Sequence, residues 1–202
     1  MLKNQKIKIV VAMSGGVDSS VSAALLKKAG FDVIGIFMKF WKEGLDGKNR
    51  CCSIESEKLA RLVAKKIGIP FYVLNVEREF KKKVVDYFLK EYKAGDTPNP
   101  CVVCNKEIKF GLLIKKALAL GADYVATGHY AKISLGSKFF SARDPLFQGS
   151  QPSRSKNLLP RLFKGEDKGK DQSYFLWQLN QDQLSHVMFP LADYKKIQVR
   201  AL

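Results

Sequence analysis

Residues 6–13 carry Ile7, Ile9, Val10 and Val11, a largely β-branched apolar run without polar alternation, which predicts a strand buried on both faces. SGGVDSS follows, and then Val21, Ala24, Leu25 and Lys28 recur at helical spacing up to Gly30, a C-terminal stop. FDVIGIFMKF, 31–40, reads as a second strand. Ser53 is placed to cap a helix with Glu55 and Glu57 in its first turn, an apolar face of Leu59, Leu62, Val63 and Ile67, and a stop at Gly68 and Pro70. FYVLNV is a third strand. Val84, Val85, Phe88 and Leu89 predict a helix over 80–92 ended by Gly95, and a further helix over 106–120 leads through Gly121 into the strand ADYVATG.

Short strands separated by helices of ten or more residues predict an α/β fold with a doubly wound, mostly parallel sheet. Ligands in such folds bind outside the carboxyl ends of the strands. SGGVDSS, Met38, the CxxC segment and Thr127-Gly128-His129 therefore fall on one rim. After Ala131 the pattern changes. KISLGSKFFSARD predicts a hairpin, and the stretch up to Lys170 is rich in Ser, Pro, Gly, Gln and Lys with weak periodicity, as in a lid-like loop. QSYFLWQL and NQDQLSHVMF read as helical, and DYKKIQVRAL as the start of another helix. The predicted division is a first domain over 1–142, a long polar loop over 143–170, and the beginning of a helical second domain over 171–202.

Charge changes the picture most. The 202 residues hold 35 Lys and Arg against 19 Asp and Glu, a formal +16 that would attract a polyanion. Nucleic acid is the leading partner, with a solubility device as the alternative. No stretch approaches the roughly 18 apolar residues of a membrane helix, and the N-terminus lacks a signal-peptide pattern, so a cytoplasmic protein without membrane contact is expected. The four cysteines are Cys51, Cys52, Cys101 and Cys104. In a reducing compartment they suit reactive or metal-binding thiols better than structural disulfides, and one CxxC is half of a four-thiolate site.

In SGGVDSS the glycine pair lets the backbone turn tightly and approach a ligand, and the following helix N-terminus offers N–H groups and partial positive charge to phosphate. Ser14, Ser19 and Ser20 add hydroxyls, and Asp18 can hold magnesium or position a polar group. The string is neither the Walker pattern nor GxGxxG. A plain strand-to-helix turn with a serine cap is the alternative. In GDTPNPCVVCNKEIKFG, 95–111, the two prolines predict a rigid extended loop presenting Asn99, Cys101 and Cys104. Lys106, Lys109 and a helix N-terminus would lower a thiol pKa and make a nucleophile. A buried structural pair and half of a metal or iron–sulfur site remain open.

SGGVDSS resembles the PP-loop of the ATP pyrophosphatase superfamily. Together with GIFMKFW, TPNPCVVCN, IKFG, ATGHYA and KDQSYFL, in that order from about Ile7 to the end, the chain resembles the tRNA-specific 2-thiouridylase family, MnmA. The resemblance implies a PP-loop ATP-binding catalytic domain and ATP-dependent 2-thiolation of the wobble uridine of tRNAs for Lys, Glu and Gln. It implies an adenylated uridine, release of pyrophosphate and AMP, Mg2+, and sulfur from a sulfur-relay protein or cysteine desulfurase. On the matching positions, Ala12, Met13, Ser14, Gly15, Gly16, Val17, Asp18 and Ser19 would cradle the phosphates, Met38 would meet adenine or ribose, and Gly128 would line the nucleotide pocket. Cys104 matches the nucleophile, Asn99, Pro100 and Cys101 the segment touching the target base, and His129, Lys170, Asp171 and Gln172 contacts to tRNA.

Two departures stand out. Cys101 replaces an Asp found in some members, which favours a CxxC redox pair or iron–sulfur ligation by Cys101 and Cys104. The family's persulfide-carrying cysteine and β-rich C-terminal domain lie past KDQSYFL and have no counterpart here, so an incomplete member is expected. Cys51-Cys52 reads as structural or accessory, His186 as a surface residue, and Trp41 and Trp177 as packing aromatics first, with an RNA-facing role as the alternative. Two other readings stand beside the thiolating enzyme. One is an ATP- and tRNA-binding fragment without thiolation; the other is a different PP-loop adenylating ligase, which would have no use for Cys104.

Overall fold

The computed structural model describes residues 6–41, 53–135, 138–139 and 159–202. Cys51, Cys52 and most of the polar loop lie outside these residues. The first three strands are β1 (Lys8–Ala12), β2 (Asp32–Lys39) and β3 (Phe71–Asn75), joined by helices α1 (Val17–Lys28) and α2 (Ile54–Ile67). A helical run follows as α3 (Glu77–Phe80), a π turn (Lys81–Val85) and α4 (Asp86–Lys93); a second run is α5 (Pro100–Cys104), a π turn (Asn105–Leu112) and α6 (Leu113–Ala119). After β4 (Tyr124–Ala126) come β5 (Ala131–Leu135), β6 (Lys138–Phe139) and β7 (Pro160–Lys164), a 3-10 turn (Ser173–Leu176), α7 (Gln181–Ser185), β8 (Val187–Met188) and α8 (Lys196–Ala201).

Strands β3-β2-β1-β4-β8 form one sheet in that order, and every neighbouring pair is parallel. This is the predicted doubly wound sheet. Ile9, Val10 and Val11 are wholly buried, as a central parallel strand requires. The chain runs outward from β1 to β3 and then crosses back to β4, so the order reverses between β1 and β4. Crevices form at such a point. A small antiparallel sheet, β6-β5-β7, contains the predicted hairpin, and β7 adds a strand where a loop is expected.

Ser53 caps α2 by accepting from the Ser56 N–H, and Gly68 ends it in the left-handed conformation, as predicted. Of the predicted apolar face of α2, Val63 and Ile67 pack against the core, and Leu59 and Leu62 do not. Leu59 and Leu62 are 52% and 63% exposed, while Ala60 and Ala64, one turn apart, are fully buried. The small side chains define the close contact and the leucines flank it. Helix α1 is packed on two sides. Ser22, Ala23 and Leu26 face the main core, whereas Val21 and Leu25 of the predicted face pack against Tyr130, Leu191 and Val199. The extended loop expected around Cys101 is instead a helix, because Pro100 occupies its first turn, where a missing N–H costs nothing, and Asn99 caps it. Beyond 171, helix α7 stops at Ser185, and Val187 and Met188, expected as helical, pair with Val125 and Ala126 as the last strand of the main sheet. Leu184 and Phe189 enter the same core.

Candidate nucleotide and thiol site

The polypeptide leaves β1 through Ser14, Gly15 and Gly16 and enters α1 at Val17. Gly16 at the N-cap makes no side-chain cap, so the first-turn amides are left to an outside acceptor. The serines brace the turn. The Ser14 N–H donates to Ser19 Oγ at 3.1 Å, and the Ser19 and Ser20 hydroxyls donate to the Gly16 carbonyl at 3.1 and 2.9 Å. Gly15, with φ +79°, lies so close to the first turn of α2 that a Cβ would meet the Ser56 carbonyl oxygen at 2.3 Å. Ala12 and Met13 end the strand side of the turn, with Met13 buried and its N–H bonded to the Ile36 carbonyl at 2.8 Å. Met38 lies two residues further along β2 and is buried in the core.

Gly128 presses on the same turn from β4. A Cβ there would sit 2.8 Å from the Asp18 carbonyl carbon and the Ser19 nitrogen, so only glycine allows this approach. Two residues on, the Tyr130 hydroxyl donates to Asp18 Oδ1 at 2.8 Å. Burial, this hydrogen bond and the nearby charges of Asp18 and Asp167 push the Tyr130 pKa well above the ordinary phenol value, so it stays a donor. Both Asp18 oxygens also accept from Lys196 Nζ, at 2.6 and 2.7 Å.

His129 faces the other run of helices. Its ring packs 5.9 Å from Phe110 and 6.0 Å from Phe189, and its Nδ1 lies 2.7 Å from Thr127 Oγ1. Burial first, and the charge of Lys109 second, lower its pKa from 6.5 to about 3. The ring is therefore neutral at physiological pH. The shift has a stability consequence: the unfolded chain takes up a proton below pH 6.5 while the native ring resists it down to about 3, so acidification through this window favours unfolding. Urea midpoints at pH 7 and 4.5 check this. The native chain is expected to lose more stability between them than His129→Gln does; equal slopes would contradict the assignment.

Cys101 and Cys104 stand one turn apart in α5, the first exposed and the second half-buried, and neither is in a disulfide. The Asn99 side chain accepts from the Val102 N–H at 3.3 Å, fixing the turn. Next in sequence, Asn105 is buried; its Nδ2 donates to the Phe175 carbonyl at 2.9 Å, and its Oδ1 has no hydrogen-bond partner among the described residues. The π turn that follows frees carbonyls, and Gln183 Nε2 satisfies those of Lys106 and Phe110 at 2.8 and 3.1 Å. Among the described residues no three His, Cys, Asp or Glu side chains cluster as metal ligands. Two thiolates do not complete an iron–sulfur ligand set.

Of Lys170, Asp171 and Gln172, only Lys170 is fully exposed. Asp171 accepts from the Gly165 N–H and the Ser173 hydroxyl, at 2.9 and 2.7 Å, and Gln172 exchanges hydrogen bonds with the Tyr130 backbone, at 2.9 and 3.0 Å. These two hold the segment in place. Trp177, expected in packing or facing RNA, is 62% exposed, and Tyr174 is 65% exposed, while Trp41 lines an open hollow with Asn75 and Lys81. Tyr130 lies inside ATGHYA without a role assigned there, and Gln183 and Lys196 carry no readable signal, because each of the three acts through residues distant in sequence.

A glycine turn at the β1–β4 crevice, with open amides at a helix N-terminus, marks an α/β fold of the PP-loop-like kind. The family described as "tRNA methyl transferase HUP domain" matches residues 7–202, and the chain belongs to it, in company with the tRNA-specific 2-thiouridylases MnmA. It is 49% identical over 200 residues to the tRNA-specific 2-thiouridylase MnmA of Roseiflexus castenholzii, covering 96% of this chain and 52% of that protein. It is 50% identical over 202 residues to the protein of that name from Streptococcus sanguinis, covering 100% of this chain and 49% of the other. The chain thus spans about half the length of these relatives. A solved structure described as a predicted subunit of tRNA methyltransferase, from Methanocaldococcus jannaschii, shares the fold with a TM-score of 0.52 and 20% identity, over 96% of this chain and 73% of that one.

Proposed function

We propose that this chain is the ATP-binding, adenylating part of a tRNA-uridine 2-sulfurtransferase. The observation that carries the reading is the cradle itself, Ser14 to Ser19 with open α1 amides and Gly128 pressed against it. Such a cradle suits phosphate. A methyl donor of the sulfonium kind carries positive charge at its reacting centre and no phosphate, so the methyl-transferase wording of the family description fits this geometry less well.

In this reading ATP lies with its phosphates on Ala12 to Ser19 and its adenosine toward Met38 and Gly128. The wobble uridine, unstacked in a single-stranded loop, enters beside Asn99, Pro100 and Cys101. Its O2 attacks the α-phosphorus as the N3 proton leaves, the bond to the β-phosphate oxygen breaks, and pyrophosphate departs. Helix amides stabilise the charge on the leaving group. A persulfide formed on Cys104 by sulfur from the relay protein or desulfurase then attacks C2 through its outer sulfur and AMP leaves. An external thiolate attacks the Cys104 sulfur, the S–S bond breaks with its electron pair going to the 2-thio group, and the resulting mixed disulfide is reduced by a further thiol. Mg2+ would travel with the phosphates of ATP. In this structure both Asp18 oxygens accept from Lys196, which suits Asp18 to positioning a polar group.

Lys170, with neutral His129 and the exposed rings of Tyr174 and Trp177, supplies the RNA-facing groups, and the +16 charge supplies salt-dependent attraction. The tRNAs would be those for Lys, Glu and Gln, with sulfur arriving from a relay protein or cysteine desulfurase, in the cytoplasm. Among the described residues no helix is long and apolar enough to cross a membrane. We place tRNA contacts on the segment 171–202.

Product analysis tests the reading: the chain with magnesium, ATP and a tRNA transcript carrying uridine at the wobble position, beside one carrying cytidine there. AMP and pyrophosphate are expected with the uridine transcript alone. Equal AMP from both would remove the uridine as the adenylated group, and ATP binding without AMP would leave the binding fragment as the correct description.

A further inference from the structure

Helix α8 reads in the sequence only as a helix start, yet it reaches the nucleotide rim. Lys196 Nζ meets both oxygens of Asp18, the second residue of α1, and lies 5.9 Å from the centroid of the Tyr130 ring. Its backbone is fixed as well. The Lys196 N–H donates to Asp167 Oδ2 at 2.8 Å, and the Lys195 N–H donates to Gln198 Oε1 at 2.9 Å. Val199 buries against Tyr130 and Leu191, so helix, tyrosine and α1 form one packed unit.

A carboxylate beside a phosphate cradle is electrostatically unfavourable unless a cation offsets it. Lys196 supplies that cation at the first turn of α1, where phosphate would bind. The pair is only partly buried, with side chains 24% and 33% exposed, so a purely stabilising bridge here would contribute little. An ammonium has three donors, and Asp18 does not use them all. We propose that Lys196 is a phosphate-binding residue of the ATP site, held toward the triphosphate by Asp18 and Tyr130. The assignment rests on the ATP-site reading above and extends it to the far end of the chain. Asp18 then serves to aim a cation.

Titration calorimetry with ATP and with adenosine tests this on the native chain, Lys196→Met and Lys196→Arg, with circular dichroism to check folding. Lys196→Met is expected to weaken ATP at least ten-fold and leave adenosine unchanged, and Lys196→Arg to recover part of the loss. Undiminished ATP affinity in a folded Lys196→Met protein overturns the assignment while the ATP site stands. A native chain that binds no ATP removes the site and the assignment together. Amine-reactive labelling of the native chain requires no variant: ATP is expected to protect Lys196 relative to its exposed neighbour Lys195, and equal labelling of Lys196 with and without ATP counts against the proposal.

Discussion

Replacing Gly15 by alanine is expected to destabilise the fold by several kcal/mol and to weaken ATP binding at least about 100-fold. Two costs combine. At φ +79° a Cβ is strained by about 1–2 kcal/mol, and the same atom would overlap the Ser56 carbonyl oxygen at 2.3 Å. That oxygen belongs to backbone in the first turn of α2, so no side chain can swing aside. Either the turn or the helix must shift, at about a further 1–3 kcal/mol. Gly68→Ala is the control, for Gly68 also has positive φ but open space around it. It should cost on the order of 1 kcal/mol and leave ATP affinity intact. Urea denaturation and ATP titration on both variants decide the matter; similar losses at the two positions would show that the contact with α2 does not shape the cradle.

Cys104→Ser is expected to reduce sulfur incorporation into tRNA at least about a thousand-fold while tRNA-dependent AMP release stays within about three-fold of the native rate. The separation follows from the proposed order of events, because adenylation uses the cradle and the uridine oxygen but no thiol. Cys101→Ser should spare far more of the sulfur transfer, since Cys101 is the exposed member and matches the base-contacting segment. Mercury-gel retardation of the tRNA reads sulfur, and chromatography reads AMP. Loss of AMP release in Cys104→Ser would mean that the cysteine helps seat the base, and would count against the assigned division of labour.

The parallel sheet was legible because buried β-branched runs and helix stops mark their own boundaries. SGGVDSS and the CxxC segment were legible for a related reason: their chemistry is carried by residues adjacent in sequence. The misread elements depended on distance. Leu59 and Leu62 share a helical period with Ala60 and Ala64, and only the neighbouring sheet decides which row is covered. The prolines of TPNP argue equally for an extended loop and for a helix start, and the Asn99 cap selects the second. Asp171 and Gln172 look like free polar contacts until their partners at Gly165 and Tyr130 are placed. Lys196 lies 178 positions from Asp18, beyond any local pattern.

Strand β8 is only two residues long, yet it borders β4 through the Val125 N–H to the His186 carbonyl at 2.8 Å and the Thr127 N–H to the Met188 carbonyl at 3.3 Å. During synthesis on the ribosome, β4 emerges some sixty residues before the strand that covers it. Until then its outer edge is bare, and the core lacks Leu184 and Phe189. Release of the nascent chain at 142 would therefore yield a sheet with an adhesive margin, prone to associate edge to edge, whereas the same polypeptide allowed to reach Phe189 covers β4 and leaves on that side only the two-residue edge of β8.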